Sequence, residues 1–595
     1  MAAMDAEADP SSSLASSSRP TPPAYRIFLG DTEGALKLFH AQCASLPDSF
    51  QPPLPELLKI SGDDTDKKRR AAGDGAVPGP ERAVQKMASG HLQGVGWVIA
   101  IARKDATIDV VLPPAADAPR EVPASPQQAL LLVSITHDKM KPGLQRWVGL
   151  AVGPEGIYAC TSAGNFIYAS LSSDATSSST RPKLQVSHVQ RLELPEPLQS
   201  LVFHPASDPT HFLYGGEEIP LSLWHLQTAL SPESRGNDGE EDDANGEGDH
   251  AAPNGEEKHS NGSNGTMNAK MRKRKRQAEA RAKAKELMWG EVWRAKNLPN
   301  DSLSLPQRPN ILSISILPSA NPAASSNEIS TPPPLTIVAG TRDGLVRIYE
   351  PASGVRKHTK EVRVVLPGQG ALKLVTCSGT NEDEVVAADS AGKLYAVDVS
   401  DSGRVKYQWK DITGAITSAA PLPPPEYASG RSSESPLLFT TSFDRLLRLH
   451  TLPTSPSELV KGSHARGKNL YSAFTGGAGV VASVWDGVVP RVSAEDEAAA
   501  EGDGDESMRS RRNGGAHRGQ GSDTEGSEGE GDEEEVWQAM QEVGQEDGKR
   551  RSGRIRDARK NSSGGEAVLN GAGEEGGEDD EAVKEAKSKR GKKGE

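Results

Sequence analysis

Seven times along the chain an apolar, strand-like run meets a tight turn built on Asp, Glu or Gly. Each time it continues into a second run that ends on an aromatic or aliphatic residue. The stretches are FLGDTEGALKLF (28–39), AIARKDATIDVV (100–111), ACTSAGNFIYAS (159–170), YGGEEIPLSLWH (214–225), AGTRDGLVRIYE (339–350), AADSAGKLYAVD (387–398) and TTSFDRLLRLHT (440–451). Superposed, one turn position holds Gly34, Ala106, Gly164, Ile219, Gly344, Gly392 and Arg445. Glycine recurs there because a two-strand turn demands positive φ. Past the turn, apolar residues fall on both faces, as in Leu345, Arg347 and Tyr349 against Val346 and Ile348. Period two with two apolar faces predicts strands covered on both sides.

Upstream of the hairpins lie further apolar runs that predict inner strands: VGLAV (148–152), LQSLVFHP (198–205), ILSISIL (311–317), ALKLVTC (371–377) and AITSAA (415–420). A strand plus hairpin plus strand, repeated at roughly 40–45 residues, is a propeller blade. A lone blade buries too little and leaves open edges, whereas a closed ring protects both. The run YSAFTGGAGVVASVWDG (471–487) predicts the strand that seals the ring against blade one. The fold expected is all-β: a seven-bladed propeller over 24–487, after a disordered N-terminus at 1–23. Low-complexity insertions are expected as disordered loops at 61–90, 171–183, 231–285 and 319–334, followed by a disordered charged tail over 488–595.

Composition sharpens this picture. Aromatics are only 4% of the chain, against 60 Gly and 43 Pro, so much of it lies outside a packed core. No apolar run reaches the roughly 20 residues of a membrane span, and the N-terminus lacks a signal-peptide pattern, so a soluble intracellular protein is expected. Cys43, Cys160 and Cys377 stand far apart, which speaks against disulfide or zinc frameworks. The net charge of −14 is concentrated outside the body. Residues 231–265 carry 10 acidic and 2 basic side chains, residues 270–285 carry 9 basic and 1 acidic, and the tail from Arg491 carries 28 acidic and 18 basic.

Motifs for catalysis are missing. There is no phosphate loop, dinucleotide fingerprint, HExxH, GxSxG or EF-hand loop, so no enzyme activity and no cofactor, metal or small-molecule substrate is expected. The acidic residues Asp31, Glu33, Asp343, Asp389 and Asp444 read as turn residues bonding their own backbone. His137, His204, His225 and His450 show no metal spacing, and Trp224 and Trp485 read as packing residues. Basic tracts carry more signal. KMRKRKR, with Lys270, Arg272, Lys273, Arg274, Lys275 and Arg276, is a nuclear-import type of cluster, and 549–560 and 587–593 are two more. Such tracts also neutralise nucleic-acid phosphates without reading bases. Within the tail, Val536, Trp537, Met540 and Val543 fall at helical spacing and predict a short partner-binding helix over 535–543.

The block WGEVWRAKNLPNDSLSLPQRPNILSISIL (289–317) combines Trp, Leu and Pro with exposed-type polar residues, and reads as a lead-in to blade five or as a docking segment. Here the chain resembles the nucleolar WD-repeat family of large-subunit biogenesis, whose yeast member is the first of the Nop-seven-associated proteins. The matching pieces are WRAKNLPNDSLSL (293–305), GGEE with the following Leu-x-Leu-Trp strand (215–224), RWVGL with IYACTSAG (146–164), DRLLRLH (444–450) and VWQAMQEV (536–543). In DRLLRLH, Leu446 stands where the family pattern is expected to have an aromatic. The resemblance implies a non-enzymatic seven-bladed propeller in the nucleus and nucleolus. It implies partners in pre-60S ribosomal particles (assembly factors and ribosomal RNA) and release by an AAA-type ATPase. By position it carries over Trp293, Lys296, Asn297, Asp301 and Leu303, with Glu217, Glu218, Asp444, Arg445 and Arg448, as rim and docking candidates. Glu217, Glu218 and the two arginines suit turn and inter-blade ion pairs equally well. A generic nuclear WD-repeat adaptor for chromatin or ubiquitin machinery is the alternative.

Overall fold

The computed structural model describes residues 24–42, 51–61, 79–115, 127–173, 184–231, 274, 286–300, 302–305, 307–317, 332–379, 383–400, 403–427, 436–453 and 466–492. Within them the chain is built almost wholly of strands. Blade one uses β1 (Ala24–Asp31), β2 (Leu36–Gln42) and β3 (Glu56–Ser61). Blade two uses β4 (Val84–Leu92), β5 (Gly96–Arg103), β6 (Thr107–Leu112) and β7 (Gln128–Thr136). Blade three uses β8 (Trp147–Val152), β9 (Gly156–Thr161), β10 (Asn165–Ser173) and β11 (Leu184–Glu193). Blade four uses β12 (Leu198–His204), β13 (His211–Gly216), β14 (Ser222–His225) and β15 (Glu291–Arg294), with the short helix α1 (Leu226–Leu230) after β14. Blade five uses β16 (Ile311–Leu317), β17 (Thr336–Thr341), β18 (Leu345–Tyr349) and β19 (Lys360–Arg363). Blade six uses β20 (Leu372–Cys377), β21 (Glu384–Asp389), β22 (Leu394–Asp398) and β23 (Arg404–Trp409). Blade seven uses β24 (Ile416–Leu422), β26 (Leu437–Ser442), β27 (Leu446–Thr451) and β28 (Asn469–Phe474), with β25 (Glu426–Tyr427) inserted. The strands β29 (Val480–Trp485) and β30 (Arg491–Val492) follow.

Each blade is an antiparallel meander, and the ring closes by exchange of its ends. Strand β29, from the end of the propeller, pairs with β1 through Ile27↔Trp485 to Gly30↔Ala482 and becomes the innermost strand of blade one. The expected sealing run therefore does what its position predicted. The innermost strands touch one another in a closed circuit: β29, β4, β8, β12, β16, β20, β24 and back to β29. Seven apolar clusters fill the gaps between blades, one per gap. That arrangement explains the two-faced apolar pattern. Strands β8, β18, β21, β22 and β26 are buried at every residue because each sheet face meets a neighbouring blade. Full burial of a side chain such as Phe439 or Leu447 stabilises the ring by roughly 1.5–3 kcal/mol. The outermost strand β11 is mostly exposed, as an edge should be.

Six of the seven expected turn residues have positive φ: Gly34, Ala106, Gly164, Gly344, Gly392 and Arg445. In blade four the slot belongs to Glu218 (φ 61°), not Ile219. Pro220 lengthens that turn by fixing its own φ and lacking an N–H, which shifts the left-handed residue back by one. Glycine is required at Gly164, where a Cβ would stand 2.1 Å from the Leu194 carbonyl oxygen.

Several boundaries differ from expectation. The loop expected over 61–90 ends earlier, because Pro80–Arg82 form a 3₁₀ turn and Val84–Leu92 form the inner strand of blade two. Its small residues disguised it as low complexity. At the axis neighbouring blades crowd, and a Cβ on Gly90 would meet the Val152 carbonyl oxygen at 2.7 Å. Likewise, Leu171–Ser173 continue β10. The strand-forming chain also runs past 487, since β30 pairs in parallel with β25 and Val492 is buried. At the outer edge β3 leaves β2 after Leu58 and pairs in parallel with β7, joining blades one and two into one eight-stranded sheet. The N-terminal 1–23, the centres of the four expected insertions apart from Arg274, and the tail beyond Val492 lie outside the described residues.

Candidate functional site

The carried-over residues fall in three places. Trp293, on the outermost strand of blade four, is 4% exposed and sets its ring edge-on to Tyr349 of blade five at 5.9 Å. It anchors the block that follows. The Ala295 N–H donates to the Leu221 carbonyl (2.8 Å) and the Lys296 N–H to the Arg356 carbonyl (2.6 Å), while Arg356 Nε donates back to the Arg294 carbonyl (2.7 Å). With its backbone stitched across the gap between blades four and five, the block presents Lys296, Asn297 and Leu303 to solvent. Asp301 lies outside the described residues.

Glu217 and Glu218 occupy the β13–β14 turn. Glu217 pairs with Arg342 at 3.2 Å, Glu218 pairs with Arg308, and the Glu218 N–H donates to Asn310 Oδ1 at 3.3 Å. Both acids thus tie blade four to the entry of blade five, the inter-blade role. All four charges are about half exposed, so these pairs add little stability.

Asp444, Arg445 and Arg448 belong to blade seven and have mostly structural surroundings. Arg448 is buried and donates from Nη2 to Asp444 Oδ2 at 2.6 Å and from Nη1 to Ser442 Oγ at 2.8 Å. Burial alone would raise the Asp444 carboxyl, but hydrogen bonds from Arg448 and Ser442 outweigh it and hold the group well below the usual carboxylate range. Two residues further along β27, His450 is fully buried, bonded through Nε2 to Thr440 Oγ1 at 2.9 Å. Burial, and then the Arg448 charge, pull its pKa down to about 3. Arg448 and Asp444 are therefore blade-core residues, and of this trio Arg445 is the one exposed.

Three of the five acidic turn residues, Asp31, Asp389 and Asp444, bond their own turn backbone as expected, Asp444 Oδ1 accepting from the Leu446 N–H at 3.1 Å. Asp31 Oδ1 accepts from the Glu33 and Ala35 N–H groups at 3.0 and 2.8 Å, and Asp389 Oδ1 from Ala391 and Lys393 at 2.9 and 2.8 Å. Trp224 is buried, stacked on Phe212 and bonded to Ser222 Oγ, while Trp485 packs edge-on to Tyr25. Among the described residues no three His, Cys, Asp or Glu converge as metal ligands would. Val536, Trp537, Met540 and Val543 lie outside the described residues, as do Lys270, Arg272, Lys273, Lys275 and Arg276; Arg274 is exposed.

One feature had no sequence signal. At the axis, on the side of the β-hairpin turns, a cavity of about 490 Å³ is lined by the first residues of all seven innermost strands, together with Ser390 and Phe443 from two of those turns. Its wall carries Lys86, Arg146 and Lys373 and no carboxylate. These three cations come from three different blades, 60 and 227 residues apart in succession, and converge only through the ring. Aligning the starts of the inner strands (VQK, RWV and LK) was the one route to them from sequence.

No family model matches the chain, and no curated protein matches it in sequence. Among solved structures, the chain is similar to Sqt1 of Chaetomium thermophilum, crystallised bound to the N-terminus of the ribosomal protein L10. The two share 11% identity over 76% of this chain and 88% of that one, with a TM-score of 0.39.

Proposed function

We propose that this protein is a non-enzymatic assembly factor of the large ribosomal subunit, docking on nucleolar pre-60S particles through its propeller. The observation that carries this reading is the blade-four rim. WRAKN, one of the two more specific family-like blocks, is anchored by buried Trp293 yet leaves Lys296 and Asn297 exposed on backbone held by blade five. A rim segment held rigid in this way meets a partner with little ordering cost, which is what a docking surface requires. Release by an AAA-type ATPase and import through the basic tract around Arg274 belong to the same proposal.

The test is affinity purification of the full-length protein at moderate salt, followed by sizing of the co-purified RNA. Large-subunit precursor RNA is expected. The double variant Lys296→Glu, Asn297→Asp should recover at least several-fold less of it with unchanged thermal unfolding, since neither side chain is buried. Recovery of no large-subunit precursor by the wild-type protein overturns the proposal.

A further inference from the structure

Elsewhere in the ring, several strand cations are matched to acids, among them buried Arg103 and Arg347, half-buried Lys37 and the more exposed Lys406. Arg103 meets Asp109 at 2.5 Å, Arg347 meets Glu361 at 2.8 Å, Lys406 meets Glu384 at 2.9 Å and Lys37 meets Asp31 at 2.8 Å. The axial cavity breaks this pattern. Lys86 Nζ donates to the Val148 carbonyl at 2.7 Å and Arg146 donates to Gln199, but among the described residues neither they nor Lys373 pair with a carboxylate. Carbonyl and amide dipoles orient these groups without neutralising them. Burial, and then the nearby Arg146 charge, pull Lys86 down to about 8. An anion seated between these cations would relieve that repulsion, and the same coupling would bind the anion.

We propose that the axial cavity is a binding site for the carboxylates of an acidic segment of a partner protein. A peptide suits the wall better than RNA does. Tracking a nucleic-acid backbone takes cations spread along a groove and a series of stacking rings. Here the charge is gathered in one pit, and Phe443 is the exposed aromatic at its edge, since Trp147 is buried with its indole N–H bonded to the Arg103 carbonyl. Leu374, Ile416 and Ser418 offer aliphatic and hydroxyl surface to glutamate methylenes and peptide groups. This site is separate from the blade-four rim and does not depend on the ribosomal reading.

The experiment is fluorescence anisotropy of the full-length protein with a fluorescein-labelled oligoglutamate peptide at low ionic strength, with unlabelled oligouridylate as competitor. Arg146→Gln, Lys373→Gln combines two exposed positions and should weaken peptide binding about tenfold or more. Arg404→Gln, on the outermost strand of blade six, should leave it unchanged, and oligouridylate should compete poorly. No oligoglutamate binding by the wild type overturns the proposal, as does equal binding by the double variant. Oligouridylate binding that the double variant loses and oligoglutamate cannot displace would assign the site to nucleic acid instead, and so overturn it too. Because the readout involves no ribosomal precursor, its failure is distinct from failure of the RNA purification.

Discussion

Single residues in this ring are constrained more by burial than by their own chemistry, and His450 is the sharpest case. It is neutral in the fold because burial and Arg448 depress its pKa to about 3, whereas in the unfolded chain it takes up a proton near pH 6.5. Below that pH the unfolded chain binds the extra proton, so His450 contributes stability that is full above about pH 6.5 and lost progressively as pH falls toward 3. The slope from this one group is at most about 1.4 kcal/mol per pH unit. Urea unfolding at pH 7 and pH 5 should show His450→Gln losing less stability on acidification than the wild type, since glutamine keeps a partner for Thr440 without titrating. Equal losses would mean that the imidazole is protonated inside the fold. The residue was visible in the sequence as an unassigned histidine. Its burial and its Thr440 partner came from strand pairing, which composition does not encode. The turn slot teaches the same lesson: Gly34 and Gly344 were readable, whereas Glu218 took the left-handed conformation because Pro220 altered its turn.

At the level of elements, the legible strands were those buried on both faces. β8 carries an unbroken apolar run, β18 one interrupted only by Arg347 and β21 one bounded by Glu384 and Asp389, because burial on two sides selects such residues. β4 was missed because close approach at the axis selects small residues over apolar bulk, and β3 because its pairing partner is the edge of another blade. Closure through β29 leads to a prediction. A chain ending at Gly479 leaves β1 without its inner partner, and Val480 and Ala482 no longer fill the gaps beside blade one. Its thermal unfolding should lose its single cooperative transition and its size-exclusion profile should shift to aggregate, as exposed edges template pairing. A sharp transition near the wild-type temperature would show that the ring does not need this strand.

For the whole molecule, the charge of the sequence is gathered in the blade-four insertion and the tail rather than in the ring. The long insertion of blade four leaves after α1 and returns at β15, and its two ends are already fastened together, with the His225 N–H donating to the Gly290 carbonyl at 2.8 Å. Replacing residues 236–284 by a short Gly/Ser linker should shift thermal unfolding by no more than about 2 °C, since closure entropy changes slowly with loop length; a larger drop would show that the insertion packs on the ring. The sequence by itself determined the blade count and most of the turn chemistry. Those depend on local periodicity, φ preference and composition, each confined to a few neighbouring residues. Tertiary structure alone decided which charges meet: that Glu217 and Glu218 clamp blade five, that Arg448 belongs to the core, and that Lys86, Arg146 and Lys373 share one cavity. Closing the ring brings distant strand starts to a common axis, and no local pattern along the chain records that convergence.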